Sequence, residues 1–289
     1  MTDIRPGALR TVGRARRRIT ARQVVLAVLL LSLLILVVAP NLLTRGDPYS
    51  IDVAGRFQPP SWEHWFGTDD AGRDIYARMV IGARTSLGAA VLVVVLAAAV
   101  GTLVGSIGGW LGGWLDQALG KITDVFLAFP YLVLAMAISA AVGRSLWSAV
   151  LALAIVWWPS YARLVRSSVR TQRSELHVKA ARTLGASGSQ ILRWHIIPHT
   201  AGTLSVRMTL DVGYVLVAFT GLSFLGLGAQ PPSAEWGLMI SAAKGYVLNA
   251  WWYPFFPGLV ILLFVSLCVW IGDGGAGRAG GLRPAGRRR

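Results

Sequence analysis

Five stretches of sixteen or more mostly apolar residues, and a shorter sixth ending at Trp157 and Trp158, constrain this chain more than any other feature. Runs of that length match the hydrocarbon core of a bilayer, which a helix of about 20 residues crosses. A soluble domain could bury such runs only behind a charged shell. Here 14% of residues are charged, against roughly 25% in a soluble domain. The spacing predicts spans at about 24–43, 87–107, 124–142, 146–160, 203–225 and 255–272. The fold class expected is an all-α, polytopic transmembrane bundle of six spans. Disorder, a disulfide scaffold and a coiled coil are excluded by abundant leucine, valine and alanine and a single cysteine, Cys268, inside a span.

The net charge of +15 would suggest nucleic acid in a soluble protein. Its distribution points instead to a membrane. Residues 1–23 carry seven arginines against Asp3, residues 159–203 seven Lys or Arg against Glu175, and residues 273–289 five arginines against Asp273. The stretch 44–86 is balanced, with five arginines and six acids. Basic and neutral segments alternate as the positive-inside rule requires, and twenty of the 28 basic residues fall on one side. Both termini are therefore expected in the cytoplasm of a multi-pass plasma-membrane protein, with lipid and no nucleic acid as partner. The first run also resembles a signal peptide, but Pro40 follows the candidate cleavage site, so it reads as an anchor helix. The organisation expected is a basic tail 1–23, the anchor 24–43, an extracytoplasmic loop 44–86, a membrane core 87–272 and a disordered tail 273–289.

Several residues carry physical expectations of their own. Gly101, Gly105, Gly109 and Gly113 recur every fourth position, a stripe that lets a neighbouring helix approach closely. Pro130 predicts a kink in the third span. Trp62, Trp65, Trp251, Trp252 and Tyr253 read as interface anchors. Arg207 and Asp211 stand four apart within the fifth span, where ionisable groups are costly and mark an interior pathway or an intramembrane pair.

The segment 171–200 reads as two short helices at an angle. Ser174 is placed to cap the first, with Glu175 and Lys179 in the favourable i, i+4 order. Gly185 is placed to end it with a positive φ. Ser187 and Gln190 form a capping-box pattern for the second helix, and Pro198 is placed to close it. A small-residue surface at Ala180 and Ala181 faces a soluble partner. His177, His195 and His199 lack the glutamate of an HExxH site, so no metal is expected.

Ala180-Ala181, then Gly185, then Pro198 thirteen residues on, resembles the EAA loop of permease subunits in bacterial ABC importers. Phe66-Gly67-Thr68-Asp69-Asp70-Ala71-Gly72-Arg73-Asp74, Gly82-Ala83-Arg84-Thr85-Ser86-Leu87, the segment Asp124 to Pro130, Trp158-Pro159 with Tyr161 and Arg163, and His195-Ile196-Ile197-Pro198 are similar to the C-type permeases of dipeptide, oligopeptide and nickel importers. So are Leu222-Ser223-Phe224-Leu225-Gly226-Leu227-Gly228, Pro231-Pro232, Trp236-Gly237 and Ile271-Gly272-Asp273-Gly274. The chain departs at Lys179, which stands where the motif has glutamate, and at Val217-Ala218-Phe219-Thr220, where an acid is usual.

The resemblance implies a type I ABC importer permease fold. It implies a heterodimer with a second permease subunit, two ATPase subunits, an extracytoplasmic substrate-binding protein and a peptide substrate. Nickel or another solute such as haem is the alternative cargo. Lys179, Ala180, Ala181, Gly185, Ala186, Ser187 and Pro198 would then contact the ATPase, and Arg207 and Asp211 are candidates for the translocation pathway. No GxxxxGK[ST] loop is present, so ATP and Mg are expected on the partner subunits and no cofactor or catalytic residue on this chain. A stand-alone secondary transporter would call for inverted repeats, which are not evident. A membrane enzyme would call for a convergent catalytic set, and the histidines and aspartates are scattered. The charge asymmetry makes a direct prediction. A cysteine at Ser61 reacts with an impermeant thiol reagent from outside and one at Ser189 does not, and the reverse pattern would overturn the topology.

Overall fold

The protein is described here by a computed structural model covering residues 38–44 and 46–279. The basic segment 1–23 and most of the anchor 24–43 lie outside the described residues. The remainder is helical, with one isolated antiparallel bridge, Thr68 to Asp74, and no strand among the described residues.

Helix α1 (Ile75–Leu111) starts twelve residues before the expected span because Asp74 caps it, accepting from the Ala77 amide at 2.7 Å. It stops at Gly112, whose φ is +71°. Helices α2 (Gly113–Ala128) and α3 (Tyr131–Val142) bend by 91° across Phe129-Pro130, a far sharper break than a kink. Proline removes an amide and forces the residue before it out of helical geometry, so α2 ends there. Helix α4 (Leu146–Arg173) opens with a capping box between Ser145 and Ser148 and accommodates Pro159 internally. It continues thirteen residues past the expected end, so Arg163, Arg166, Arg170 and Arg173 lie on a membrane helix and not in a loop.

Helices α5 (Leu176–Thr183) and α6 (Gly188–Ile191) and a π-helical turn at Leu192–Ile196 lead into α7 (Ile197–Phe224). Helix α8 (Trp236–Ala243) is short, and α9 (Trp252–Ala279) is the last element among the described residues, running seven residues into the segment read as a disordered tail. Among the described residues four rods are long and apolar enough to cross a membrane, and the bent α2–α3 pair matches that length and composition as a broken span or a re-entrant loop.

Helices α1 and α4 form the central pair. A Cβ on Gly101 would strike Tyr161, Trp158 and Ala162, one on Gly105 would strike the Ala162 carbonyl, and one on Gly109 would meet Val169 at 2.9 Å. The stripe therefore packs helices, and Gly113 falls outside it, with φ +61° and open space around it. Val93, Val94 and Ala97 of α1, Leu153 of α4 and Leu216, Phe219 and Leu222 of α7 fill the core around this seam. Helix α9 leans on α7, where Gly213 meets Cys268 and Gly272 lies under Leu210.

The end of the bundle that carries residues 46–74 is locked by buried polar contacts. Asp69 is fully buried, accepts the amides of Ala71 (2.8 Å) and Arg73 (2.9 Å) on one oxygen and takes Arg73 Nε on the other at 2.7 Å. Arg78, 4% exposed, reaches the same carboxylate at 3.6 Å and donates to the carbonyls of Ser233 (3.1 Å) and Pro48 (3.4 Å). Glu235 caps α8, accepting from the amides of Gly237 and Leu238 at 2.9 and 2.8 Å, and Ser86 of α1 donates to it at 3.3 Å. Burial raises the Glu235 carboxyl above the usual range, and those donors oppose the shift.

Trp252 and Tyr253 are therefore not interface anchors. Both are buried, Trp252 donating to the Thr68 carbonyl at 3.4 Å and Tyr253 to Asp70 at 3.1 Å. Trp62 and Trp251 do remain exposed.

The glycine seam is testable by thermal unfolding in detergent. Gly101→Val overpacks the α1–α4 contact and costs about 1–3 kcal/mol. Gly88→Ala, on an exposed helix position with nothing within 4 Å, gains up to about 1 kcal/mol of helix propensity. An unchanged midpoint for Gly101→Val would contradict the packing.

Candidate functional site

The 171–200 segment is more rigid than two helices on a loop. Ser174 does not cap α5. Its hydroxyl donates back to the Thr171 carbonyl at 2.8 Å, and Glu175 takes the N-cap position without a side-chain bond. The far end of α5 closes as a Schellman motif: Gly185, φ +87°, donates to the Arg182 carbonyl at 3.0 Å, and Ala186 donates to the Ala181 carbonyl at 3.1 Å. Ser187 and Gln190 form the expected capping box, at 3.3 and 2.9 Å.

Pro198 does not close the second helix. It sits in the first turn of α7, where its missing amide costs nothing, and the widened turn at Leu192–Ile196 makes room for its ring. Gly188 to Phe224 is one continuous rod. The second loop helix is the leading end of a membrane span.

The module has a core of its own. Val178, Ile191 and Ile196 are buried with Val165 and Val169 of α4, and Ala181 and Ala186 pack partly against them. Ala181 thus faces inward. The outward surface is a helical stripe of Leu176 (81% exposed), Ala180 and Leu184 (88% exposed), with Lys179 and Gly185 also exposed beside it.

Trp110, at the end of α1, is the point of attachment. The guanidiniums of Arg173 and Arg182 lie over its ring, 5.8 and 5.5 Å from the centroid, its carbonyl accepts from Arg173 Nη1 at 2.8 Å, and a Cβ on Gly188 would meet its indole nitrogen at 2.9 Å. His177, His195 and His199 are all exposed, and no group of three metal-ligating side chains occurs among the described residues.

Helix α2 is tied to the same base. Asp116, 2% exposed, pairs with both Arg166 and Arg170 of α4, and Arg166 Nη2 donates to the Asp116 carbonyl at 3.0 Å. The Arg166 guanidinium lies against Gly120, where a side chain would displace it. One turn along, Asp124 and Arg163 pair at 2.7 Å, both mostly exposed, a contact worth little by itself.

The second candidate, Arg207 with Asp211, is a direct pair: Arg207 Nε donates to Asp211 Oδ2 at 2.9 Å. Asp211 is buried at 1% side-chain exposure and stands beside the buried Tyr161, while Arg207 is 48% exposed. Both line a cavity of about 250 Å³ with Tyr131, Trp157, Ser160 and Tyr214.

The rod from Gly188 to Phe224 begins inside the 171–200 segment and carries Arg207 and Asp211 further along. The sequence reading did not single out Trp110, Asp116 or Gly188. Asp116 carried a usable signal, as an acid in an otherwise apolar stretch. Trp110 carried none, because it is one of several tryptophans near span ends.

Comparison with known proteins places this geometry in a family. Residues 101–275 match the model of the binding-protein-dependent transport system inner membrane component. A probable D,D-dipeptide transport system permease protein of Escherichia coli K12 is 44% identical over 247 residues, 86% of this chain and 83% of the relative. A glutathione transport system permease protein of Salmonella typhimurium LT2 is 40% identical over 278 residues, 95% and 92% of the two chains. An inward-facing crystal structure of the MetNI methionine ABC transporter superposes with TM-score 0.58 at 17% identity, covering 70% of this chain and 96% of that one. At that identity the likeness is one of fold. The chain belongs to the inner membrane components of binding-protein-dependent transport systems.

Proposed function

We propose that this chain is a permease subunit of an ATP-driven importer of dipeptides or oligopeptides, forming half of the translocation pathway. The observation that carries the reading is the capped 171–200 module, anchored to Trp110 and continuous with α7, with an unpartnered stripe at Leu176, Ala180 and Leu184. Relatives named for dipeptide and glutathione transport support a peptide cargo. In this reading the described rods and the bent pair are five of six spans, the anchor is the first, and both termini are cytoplasmic.

A second permease completes a heterodimer, a binding protein delivers substrate to the 46–74 end, and two ATPase subunits grip the stripe. This chain is non-catalytic and ATP and Mg reside on those ATPase subunits. Closure of the ATPase dimer pushes α5, and the push passes through Trp110 to α1, through Val165 and Val169 to α4, and along the continuous rod to Arg207 and Asp211, which line the route.

Two sets of variants test the coupling. Ala180→Trp puts bulk on the stripe, and Gly185→Val imposes a branched side chain at φ +87°. Both should leave the amount of membrane protein unchanged while peptide uptake falls roughly ten- to hundredfold and ATPase subunits co-purify poorly. Thr183→Ser serves as a silent control. Normal uptake by both would end the coupling assignment. Trp110→Ala should behave differently: ATPase subunits still co-purify, but the binding protein no longer stimulates hydrolysis. Wild-type stimulation would remove Trp110 from the transmission path.

A further inference from the structure

The cavity beside α7 has a chemistry more specific than a pathway lining. At 1.5 Å per residue, about 25 Å of helix separates Arg207 from the Phe224 end of the rod, which puts its guanidinium within a hydrocarbon core about 30 Å thick. The half-exposed Arg207 side chain opens onto the cavity that it lines with Asp211, Ser160 and Tyr214.

The pair is also asymmetric. Asp211 is buried and spends one oxygen on Arg207 Nε, so it offers no free charge to a ligand. Arg207 bonds Asp211 through Nε, and with 48% of its side chain exposed its Nη groups remain available to a ligand in the cavity. Asp211 thus holds the guanidinium by its inner edge and presents the outer edge, a planar fork whose natural complement is a carboxylate.

The rest of the cavity is uncharged. Tyr131 and Trp157 meet edge to face at 5.1 Å, and Ser160 and Tyr214 add hydroxyl groups. No exposed acid is available there for an ammonium group. A volume of about 250 Å³ suits one end of an extended chain and not a whole oligopeptide.

We propose that this cavity is a carboxylate-binding station for the C-terminus of the transported peptide, with Arg207 the donor and Asp211 the positioning residue. The inference rests on the peptide-importer reading above and adds which end of the cargo this subunit holds. Aromatic walls with a single fixed cation read the group every linear peptide shares and leave its side chains unread.

The test uses the complete complex, both permeases, the ATPase subunits and the binding protein, in proteoliposomes. Labelled trialanine, its C-terminal amide, and Ala-Glu-Ala amide are each supplied at concentrations that saturate the binding protein. That protein is the same in every arm, so changes between variants report on the permease. Arg207→Gln should lower trialanine uptake roughly ten- to hundredfold, the range for loss of a charge-assisted hydrogen bond, and leave both amides within about twofold of wild type. Arg207→Lys should recover part of the trialanine rate, since it keeps the charge and loses the fork. Asp211→Asn should raise the KM for trialanine alone, and Asp211→Glu should restore it, which a merely structural role would not do.

Should Arg207→Gln fail to assemble because it strands a buried carboxylate, the double variant Arg207→Gln/Asp211→Asn removes both charges and gives the same readout. An unchanged acid-to-amide ratio in these variants, with peptide uptake intact, overturns the station and leaves the importer reading standing. Sensitivity of Ala-Glu-Ala amide to Arg207→Gln overturns the assignment to the terminal carboxylate. Uptake of no peptide by the wild-type complex overturns both readings.

Discussion

The close approach of α1 and α4 is the contact on which the rest of the molecule depends. At Gly101, Gly105 and Gly109 the two backbones come so near that no side chain fits between them. In a bilayer apolar residues gain nothing from leaving lipid for one another, so shape and dispersion must hold helices together. A seam of glycine supplies both. Fixing α4 against α1 also fixes Arg166 and Arg170 where Asp116 can reach them, and Val165 and Val169 where the 171–200 module can bury its own apolar residues.

The two ends of this seam are built from different materials. One end is a polar lock in which the buried Asp69, Arg78 and Glu235 bond to backbone groups from three separate segments. Removing one member of such a network strands the others without solvent, so the end behaves as a single body. The other end is held by a small apolar core and an indole with two guanidiniums over its ring. These contacts slide and re-form at smaller cost.

Much of this was legible in the sequence because it is periodic or local. Apolar runs located the four long rods and the bent pair, the glycine repeat at 101, 105 and 109 gave the seam, and Ser187 with Gln190 and Gly185 gave two helix ends, since a cap is decided by a few adjacent residues. What escaped depends on distant partners. Trp252 and Tyr253 look like interface residues until the 66–74 segment folds over them, and Ala181 looks like surface until Val178 and Ile191 turn it inward. Pro198 misled for another reason: proline ends a helix or begins one, and only the widened turn before it tells which. The Arg207–Asp211 pair was visible from spacing, but its asymmetric exposure belongs to tertiary structure.

The unbroken rod from Gly188 to Phe224 has a mechanical consequence. Its 37 residues extend about 55 Å at 1.5 Å per residue. A stiff beam of that length amplifies. Tilting one end by about 5° about the other sweeps the tip through about 5 Å, close to one helical turn. Because Gly188–Phe224 is one continuous helix, a tilt at one end is carried along its whole length, and a point halfway along moves through about half the tip's sweep. The widened turn at Leu192–Ile196 lies near the Gly188 end of the beam and does not end it.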